Sequence, residues 1–298
     1  MRVNPNYATD MVNLMDLAQQ NEDNAAQQLS TGRRVSLPSD NPAAEAAMIN
    51  ANAQTASIDQ YTASSDSLTD VLNTANSTLS SAVTLLQRAV SLGVEGANGT
   101  NNQSDLDTIA TQVSGIQSQM LSIANTSYAG QYLFAGTATG AAPYVADAAD
   151  PNQIDYVGNG EQNQVKIGTG LSVAANLPGS SIFSQSGANV FTALQSLVTA
   201  LQSGDSTSIG TAETGVSTAL NAVDTAQAFY GGAVNELTTN ENYLSQEKLN
   251  ITTYQNTLVA SDTATAATDV TQDQSILTAT VAAAAQINQQ ANLLTYLH

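Results

Sequence analysis

The chain has no cysteine and no tryptophan in its 298 residues, and His298 is the only histidine. A disulfide framework is therefore impossible, and the redox compartment is left open. Catalytic triads and histidine-based metal sites are excluded as well, short of the last residue itself. Basic residues are nearly as scarce. Six Lys and Arg stand against 25 Asp and Glu, a formal charge of −19. Six scattered cations cannot build a basic patch, so neither a nucleic-acid partner nor attraction to anionic lipid is expected. Apolar runs such as 281–285 fall far short of the roughly 18 residues that a membrane helix needs. Residues 1–6 lead into no apolar segment, so a cleaved secretory signal is not expected and export would take another route.

Glycine and proline are absent over long stretches, and that places the helices. Residues 43–92 contain neither, and 233–298 contain neither. In the first stretch Ile58, Tyr61, Ser65, Leu68, Leu72, Ala75, Leu79, Ala82, Leu86 and Ala89 alternate at spacings of three and four. At 1.5 Å per residue such a helix would reach roughly 75 Å, longer than a domain of this size requires. Before it, Tyr7, Met11, Leu14, Ala18, Asn21 and Ala25 predict a terminal helix of the same period. After it, Gly93, Gly96 and Gly99 with Asn98, Asn101 and Asn102 predict a turn. A third helix is then marked by Leu106, Ile109, Val113, Ile116, Met120 and Ile123.

The pattern breaks at Gly130. From 131 to 187 the chain is rich in Gly, Pro and Asn, with short β-type runs at 132–134, 154–157, 164–167 and 171–173. Gly158-Asn159-Gly160 reads as a hairpin turn between two of them. Helical periodicity returns at Val190, Leu194, Leu197 and Leu201. It continues at Val216, Leu220, Val223, Gln227, Tyr230, Val234, Leu237, Glu241, Leu244, Lys248 and Ile251. Thr-rich 261–271 has poor helix propensity and predicts a joint or a frayed segment. The last helix carries Leu277, Thr280, Ala284, Ile287, Ala291 and Leu294, widened by Ile276, Ala283, Leu293 and Leu297. The expected fold is mainly α. Long N- and C-terminal helices form a coiled-coil rod, in halves 1–130 and 188–298, around a small β-rich outer insert at 131–187.

The connector at 29–49, LSTGRRVSLPSDNPAAEAAMI, organises the first half. Gly32 suits the left-handed residue past a helix end, and Arg33 and Arg34 follow beside the negative end of the dipole. Asn41 and Pro42 suit the N-cap and N1 positions, with Asp40 and Glu45 flanking them. The two arginines could compensate a dipole or pair with the acidic surface of a neighbouring subunit.

The strings LSTGRRV at 29–35 and PSDNPAA at 38–44 resemble the signature of flagellins and flagellar hook–filament junction proteins. The PSDNP form is closer to the junction branch, since flagellins usually carry AKDDAA there. NTSYAGQYLFAGT at 125–137 resembles that family's passage from helix to insert, and YVGNG at 156–160 with 164–167 the start of its β domain. Ala284, Gln286 and Ile287 through LLTYL at 293–297 resemble its closing helix. The resemblance implies a secreted, extracellular flagellar protein that self-associates in a ring. Terminal helices would line the inner tube, with the β domain outside. It further implies a hook-associated protein on one side, flagellin on the other, and an export chaperone. A short flagellin is the alternative within the family, and a type III secreted effector or tip protein the alternative outside it.

No other motif competes. Gly168-Thr169-Gly170 and Gly158-x-Gly160 do not open a helix after a parallel strand, so they read as turns and not as phosphate cradles. Asp147, Asp150 and Asp155 lack the tight run of ligands that calcium requires. The N-glycosylation patterns at 76, 98, 102 and 250 are what a chain this rich in Asn, Ser and Thr contains by chance. No acid, base and nucleophile assemble, so no enzyme and no cofactor are expected. The expected assembly interface is Met11, Leu14, Leu29, Gly32, Arg33, Arg34, Asp40, Pro42, Leu277, Ile287, Leu294 and Leu297. In a lone chain 1–41 and 261–298 are expected to be disordered, because their stripes dilute apolar residues with Ala, Thr and Asn.

Overall fold

The computed structural model describes residues 7–148, 150 and 152–295. It is mainly helical, with α1 (Tyr7–Thr31), α2 (Pro42–Gly96) and α3 (Gln103–Ala124) before a strand-rich segment. That segment holds β1 (Ser127–Tyr128), β2 (Gln131–Tyr132), β3 (Tyr144–Ala146), β4 (Ile154–Tyr156), β5 (Gln164–Gly168) and β6 (Leu171–Ala174). Next come the single turn α4 (Gly179–Ile182), β7 (Ser184–Gln185) and β8 (Ala188–Asn189). Helices α5 (Val190–Ser203), α6 (Ser206–Val259) and α7 (Thr263–Thr295) complete the described chain. The molecule divides into two compact units, one of residues 1–56 and 247–298, the other of 57–246. Helices α2 and α6 contribute residues to both.

In the unit of 57–246, the α2 stripe is buried as its spacing predicts, from Leu68 through Leu72, Ala75, Leu79, Ala82 and Leu86 to Ala89. On α3, Leu106, Ile109, Val113, Ile116 and Met120 join the same core. Helix α6 departs from expectation. Between Val216 and Leu237 its buried positions are Val216, Ala219, Val223, Ala226, Tyr230, Ala233 and Leu237, whereas Leu220 and Val234 sit only partly buried at the side. Alanine at every second position allows close approach of a neighbouring helix, which a row of larger side chains would prevent. The turn after α2 also differs, because Gly93 and Gly96 lie inside the helix. They are packing glycines. A Cβ on Gly93 would come within 2.9 Å of Glu213 Cγ, and one on Gly96 would overlap Leu201. The turn itself is left to 97–102, where Asn102 caps α3 by accepting from Asp105 N, with the Asp105 side chain reaching back to Asn102 N.

The strands form four separate antiparallel hairpins, β1–β2, β3–β4, β5–β6 and β7–β8. Ala129 and Gly130, at φ 50° and 80°, supply the two left-handed residues of a tight two-residue turn. Gly158-Asn159-Gly160 is not a hairpin turn, since β4 pairs back to β3 and β5 pairs forward to β6. Its asparagine instead ties two loops. Asn159 N donates to Ala135 O, and Thr137 N donates to Asn159 Oδ1 at 2.8 Å. Gly168-Thr169-Gly170 does turn the β5–β6 hairpin, with Gly170 at φ 77°.

The hairpins are pinned to the helices by buried polar groups. Asn125 reads the Tyr144 backbone in both directions, at 2.8 and 2.9 Å. From α6, Asn240 Nδ2 donates to Ile167 O at 2.7 Å, and Tyr230 Oη accepts from Leu177 N at 3.0 Å. Burial pushes the Tyr230 phenol up to about 12. Phe134, Tyr144, Phe183 and Phe191 stack edge-on or tilted at centroid distances of 5.1 to 5.9 Å and belong to the helical core.

Gly136 is the tightest point of this arrangement, at φ 70° with the Asn159 backbone where a side chain would stand. Gly136→Ala should cost about 1–2 kcal/mol from conformation alone, and more from the overlap. Gly140, with open space around it, is the control. Urea unfolding of the two variants checks this, the first losing stability and the second remaining near wild type.

Candidate assembly surface

In the unit of 1–56 and 247–298, α1 packs against α7. The buried side of α1 is Met11, Met15, Ala18, Glu22 and Ala25, wholly or partly covered. That face is rotated from the expected stripe. Met11, Ala18 and Ala25 are shared with it, but Leu14 and Asn21 are exposed. On α7, Ala266, Val270, Asp273, Leu277, Thr280 and Ala284 face inward, while Ile276 and Ala283, expected to widen the stripe, are exposed. Ile287 and Leu294 lie on α7 beyond the residues whose side chains are described, and Leu297 lies outside the described residues.

What holds the two chain ends together is a short clasp. Helix α1 ends where Gly32, at φ 66°, donates its N–H to Gln28 O at 2.8 Å. The chain then runs antiparallel to the α6–α7 joint, pairing Arg33 with Ala260. Arg34 N donates to Val259 O at 2.7 Å, and Ser261 N donates to Gly32 O at 2.9 Å. Val35, 2% exposed, packs beneath with Ala44 and Val259, flanked by Met48 and Leu258. Arg34 Nη2 donates to Leu258 O at 3.4 Å. The arginine therefore sits at the negative end of α6 and not of the helix it follows.

The two helices leaving the clasp are both capped. Asn41 Oδ1 accepts from Ala44 N at 3.0 Å, with Pro42 opening α2. Asp262 Oδ1 accepts from Ala264 N at 2.9 Å and from Thr265 N. The expected joint at 261–271 is thus confined to 260–262, and the threonines after it are helical, Thr268 and Thr271 bonding back to carbonyls four residues earlier. Asp40 belongs to the connector itself. Its Oδ2 accepts from Leu37 N at 2.9 Å and Ser36 N at 3.0 Å, and those donors hold the carboxyl below its usual range.

Of the residues singled out by sequence, the clasp brings together Gly32, Arg33, Arg34, Asp40 and Pro42. Leu29 lies at the end of α1 and is partly exposed. Met11, Leu14 and Leu277 lie along the α1–α7 pair. Val35, Asp262 and the 259–261 backbone were not singled out. For Asp262 a signal existed, an aspartate before a helical run without proline or glycine. Among the described residues no cluster of acidic or histidine side chains could hold a metal, and no helix is long and apolar enough to cross a membrane.

Two family descriptions match the chain: the bacterial flagellin N-terminal helical region over residues 3–139, and the C-terminal helical region over 214–297. Flagellar hook-associated protein 3 of Escherichia coli is 30% identical over 261 residues, covering 79% of this chain and 80% of that protein. Among solved structures, the flagellar junction protein FlgL of Legionella pneumophila superposes with a TM-score of 0.62 at 15% identity. It covers 72% of this chain and 100% of its own. FlgL of Xanthomonas campestris gives 0.61 at 16% identity, over 68% of this chain and 98% of its own. At these identities the structures speak for the fold.

The pH response of the connector follows from Asp40. Its lowered folded value means that the unfolded chain binds more protons in the acid range, so the turn is stabilised above the ordinary aspartate value. That contribution falls away as pH drops through the lowered value. Protection of the Ser36 and Leu37 amides, judged from the hydrogen-exchange rate relative to the intrinsic rate at the same pH, should therefore fall as pH drops in the wild type. In Asp40→Asn that protection should be lower near neutral pH and change little with pH.

Proposed function

The chain belongs to the flagellar hook-associated protein 3 family, with flagellin-type helical regions at both ends, and from this premise we propose how it serves at the hook–filament junction. It is a non-enzymatic, extracellular component of the flagellum that contacts hook and filament components. In our reading it polymerises through its terminal helices into a ring. One side receives the hook-side associated protein, the other the first flagellin subunits, and an export chaperone escorts the chain beforehand.

One observation carries this reading. Helices α1 and α7 pair with each other yet leave Val12, Leu14, Leu17, Ile276 and Val281 between 45% and 58% exposed. In our reading these exposed apolar residues contribute to a surface that a neighbouring subunit covers. The interface residues in this reading are Met11, Leu14, Leu29, Gly32, Arg33, Arg34, Asp40, Pro42 and Leu277, continued by Ile287, Leu294 and Leu297. The strand-rich insert, 131–187, would then face away from the ring's axis.

The pair itself is thinly held. Among the residues whose side chains are described, those buried on α1 and α7 are Ala18, Ala25 and Ala266. Ordering costs roughly 1–2 kcal/mol of backbone entropy per residue, and each alanine returns little area. Residues 1 to about 34 and about 261 to 298 therefore order chiefly on assembly, whereas the Ser36–Asp40 turn is held by its own local bonds. Limited proteolysis should cut them in the free chain and spare them in isolated hook–filament junctions. Equal protection in both would count against ordering on assembly.

The junction role has its own test. A strain lacking the gene should make hooks without attached filaments, and the purified chain should not grow long fibres alone. Attached filaments in that strain would overturn the role. Long fibres from the pure chain would favour a short flagellin instead.

A further inference from the structure

We propose that Leu37 is a preformed anchor that docks on the Leu14–Leu17 flank of α1 in a second copy of this chain, guided by Arg33 and Arg34. The proposal rests on the self-association read above and names its contact.

Leu37 is 61% exposed, among the most exposed large apolar residues of the molecule. It does not hang on a loose loop. Its own N–H and that of Ser36 are both held by the Asp40 carboxylate, and Asp40 N donates back to Leu37 O at 3.0 Å. Pro38 stiffens the next position. Two residues before, Val35 is buried under the clasp, and one residue after Asp40, Asn41 caps α2. A side chain fixed on every side and turned toward water gains nothing within its own chain. Held rigid in advance, it would lose little entropy on binding, as the anchor residues of interfaces do.

Charge identifies the partner. Arg33 and Arg34 are a third of the basic residues in the chain and lie within four positions of Leu37. A partner attracted to them should be acidic, and a second copy at −19 is. Within that copy α1 is the acidic apolar element, carrying Asp10, Asp16, Glu22 and Asp23 and no basic residue. Leu14 and Leu17, 58% and 54% exposed, sit three positions apart on its free side. The same chain cannot satisfy the contact. Leu17 stands 14 residues before the end of α1, about 21 Å along the helix from the connector. The contact is consequently between unlike patches, the head-to-tail type that closes rings or propagates filaments.

Because the chain lacks cysteine, each introduced thiol is unique. A strain lacking the gene is made to co-express two full-length variants, Leu37→Cys and Leu17→Cys, and its hook–filament structures are isolated and treated with a mild oxidant. A covalent dimer joining the two positions is expected. Its yield should fall several-fold when Arg33→Glu and Arg34→Glu are added to the first variant, or when Asp40→Asn frees the turn. Leu249→Cys, exposed on α6, replaces Leu37→Cys as the control and should give no dimer with Leu17→Cys. Protein present in the structures with no 37–17 dimer, or with Leu37→Cys joined to a different protein, overturns the anchor and leaves the junction role intact. Protein absent from the structures overturns the junction role, and the anchor with it.

Discussion

Main-chain pairing between residues 32–34 and 259–261 is the interaction on which the terminal unit depends. Its two bonds join Arg34 to Val259 and Gly32 to Ser261, across more than three-quarters of the sequence, and the rest of that unit is arranged around it. Gly32 turns the chain into it, and Val35 seals it from below. Asn41 and Asp262 start the helices that leave it. An unpaired main-chain group in such a half-buried place would cost about as much as a lost hydrogen bond, so each residue of the clasp constrains its neighbours. The left-handed glycine is the least replaceable of them, because a branched side chain at φ 66° would misdirect the strand before its first bond.

Stability elsewhere rests on close helix packing with little charge. Among the described residues, serine and threonine hydroxyls on the helices repeatedly bond back to the carbonyl four positions earlier, as Thr74, Thr78, Thr211, Thr218 and Thr225 do. Such bonds solvate a helix surface locally and need no partner of opposite sign. A chain with 10% charged residues can therefore keep its long helices soluble without laddered ion pairs. It also leaves each copy strongly acidic, so association has to come from apolar contact and from a few well-placed cations.

The architecture was legible in the sequence wherever the apolar residues were large. On α2 the stripe from Leu68 to Ala89 could be followed position by position, because leucine marks every second member. On α6 the same period was legible but its phase was misread, since Ala219, Ala226 and Ala233 carry less signal than Leu220 and Val234 and yet lie inside. Gly93 and Gly96 looked like a turn because a glycine chosen for close packing and one chosen for conformation are written alike. The connector residues Gly32, Asn41 and Pro42 were legible because caps act locally. Their partner strand at 259–261 was not, since a main-chain bond between residues so far apart in the sequence leaves no mark on side-chain choice. The same holds for Asn240, whose task is set by a hairpin carbonyl far away in the chain.

The clasp also bears on the order in which the chain gains structure. Closing a loop of this span costs about 5 kcal/mol in chain entropy by a length-dependent estimate, against two main-chain bonds and a small apolar cluster. Contacts of such long range form late, after the local helices and hairpins have removed most of the freedom between them. The closure is thus a late kinetic step and, by the same reasoning, among the first to reverse. A chain threaded through a narrow conduit would meet little resistance from its own two ends, and would fasten them only after the whole length had emerged.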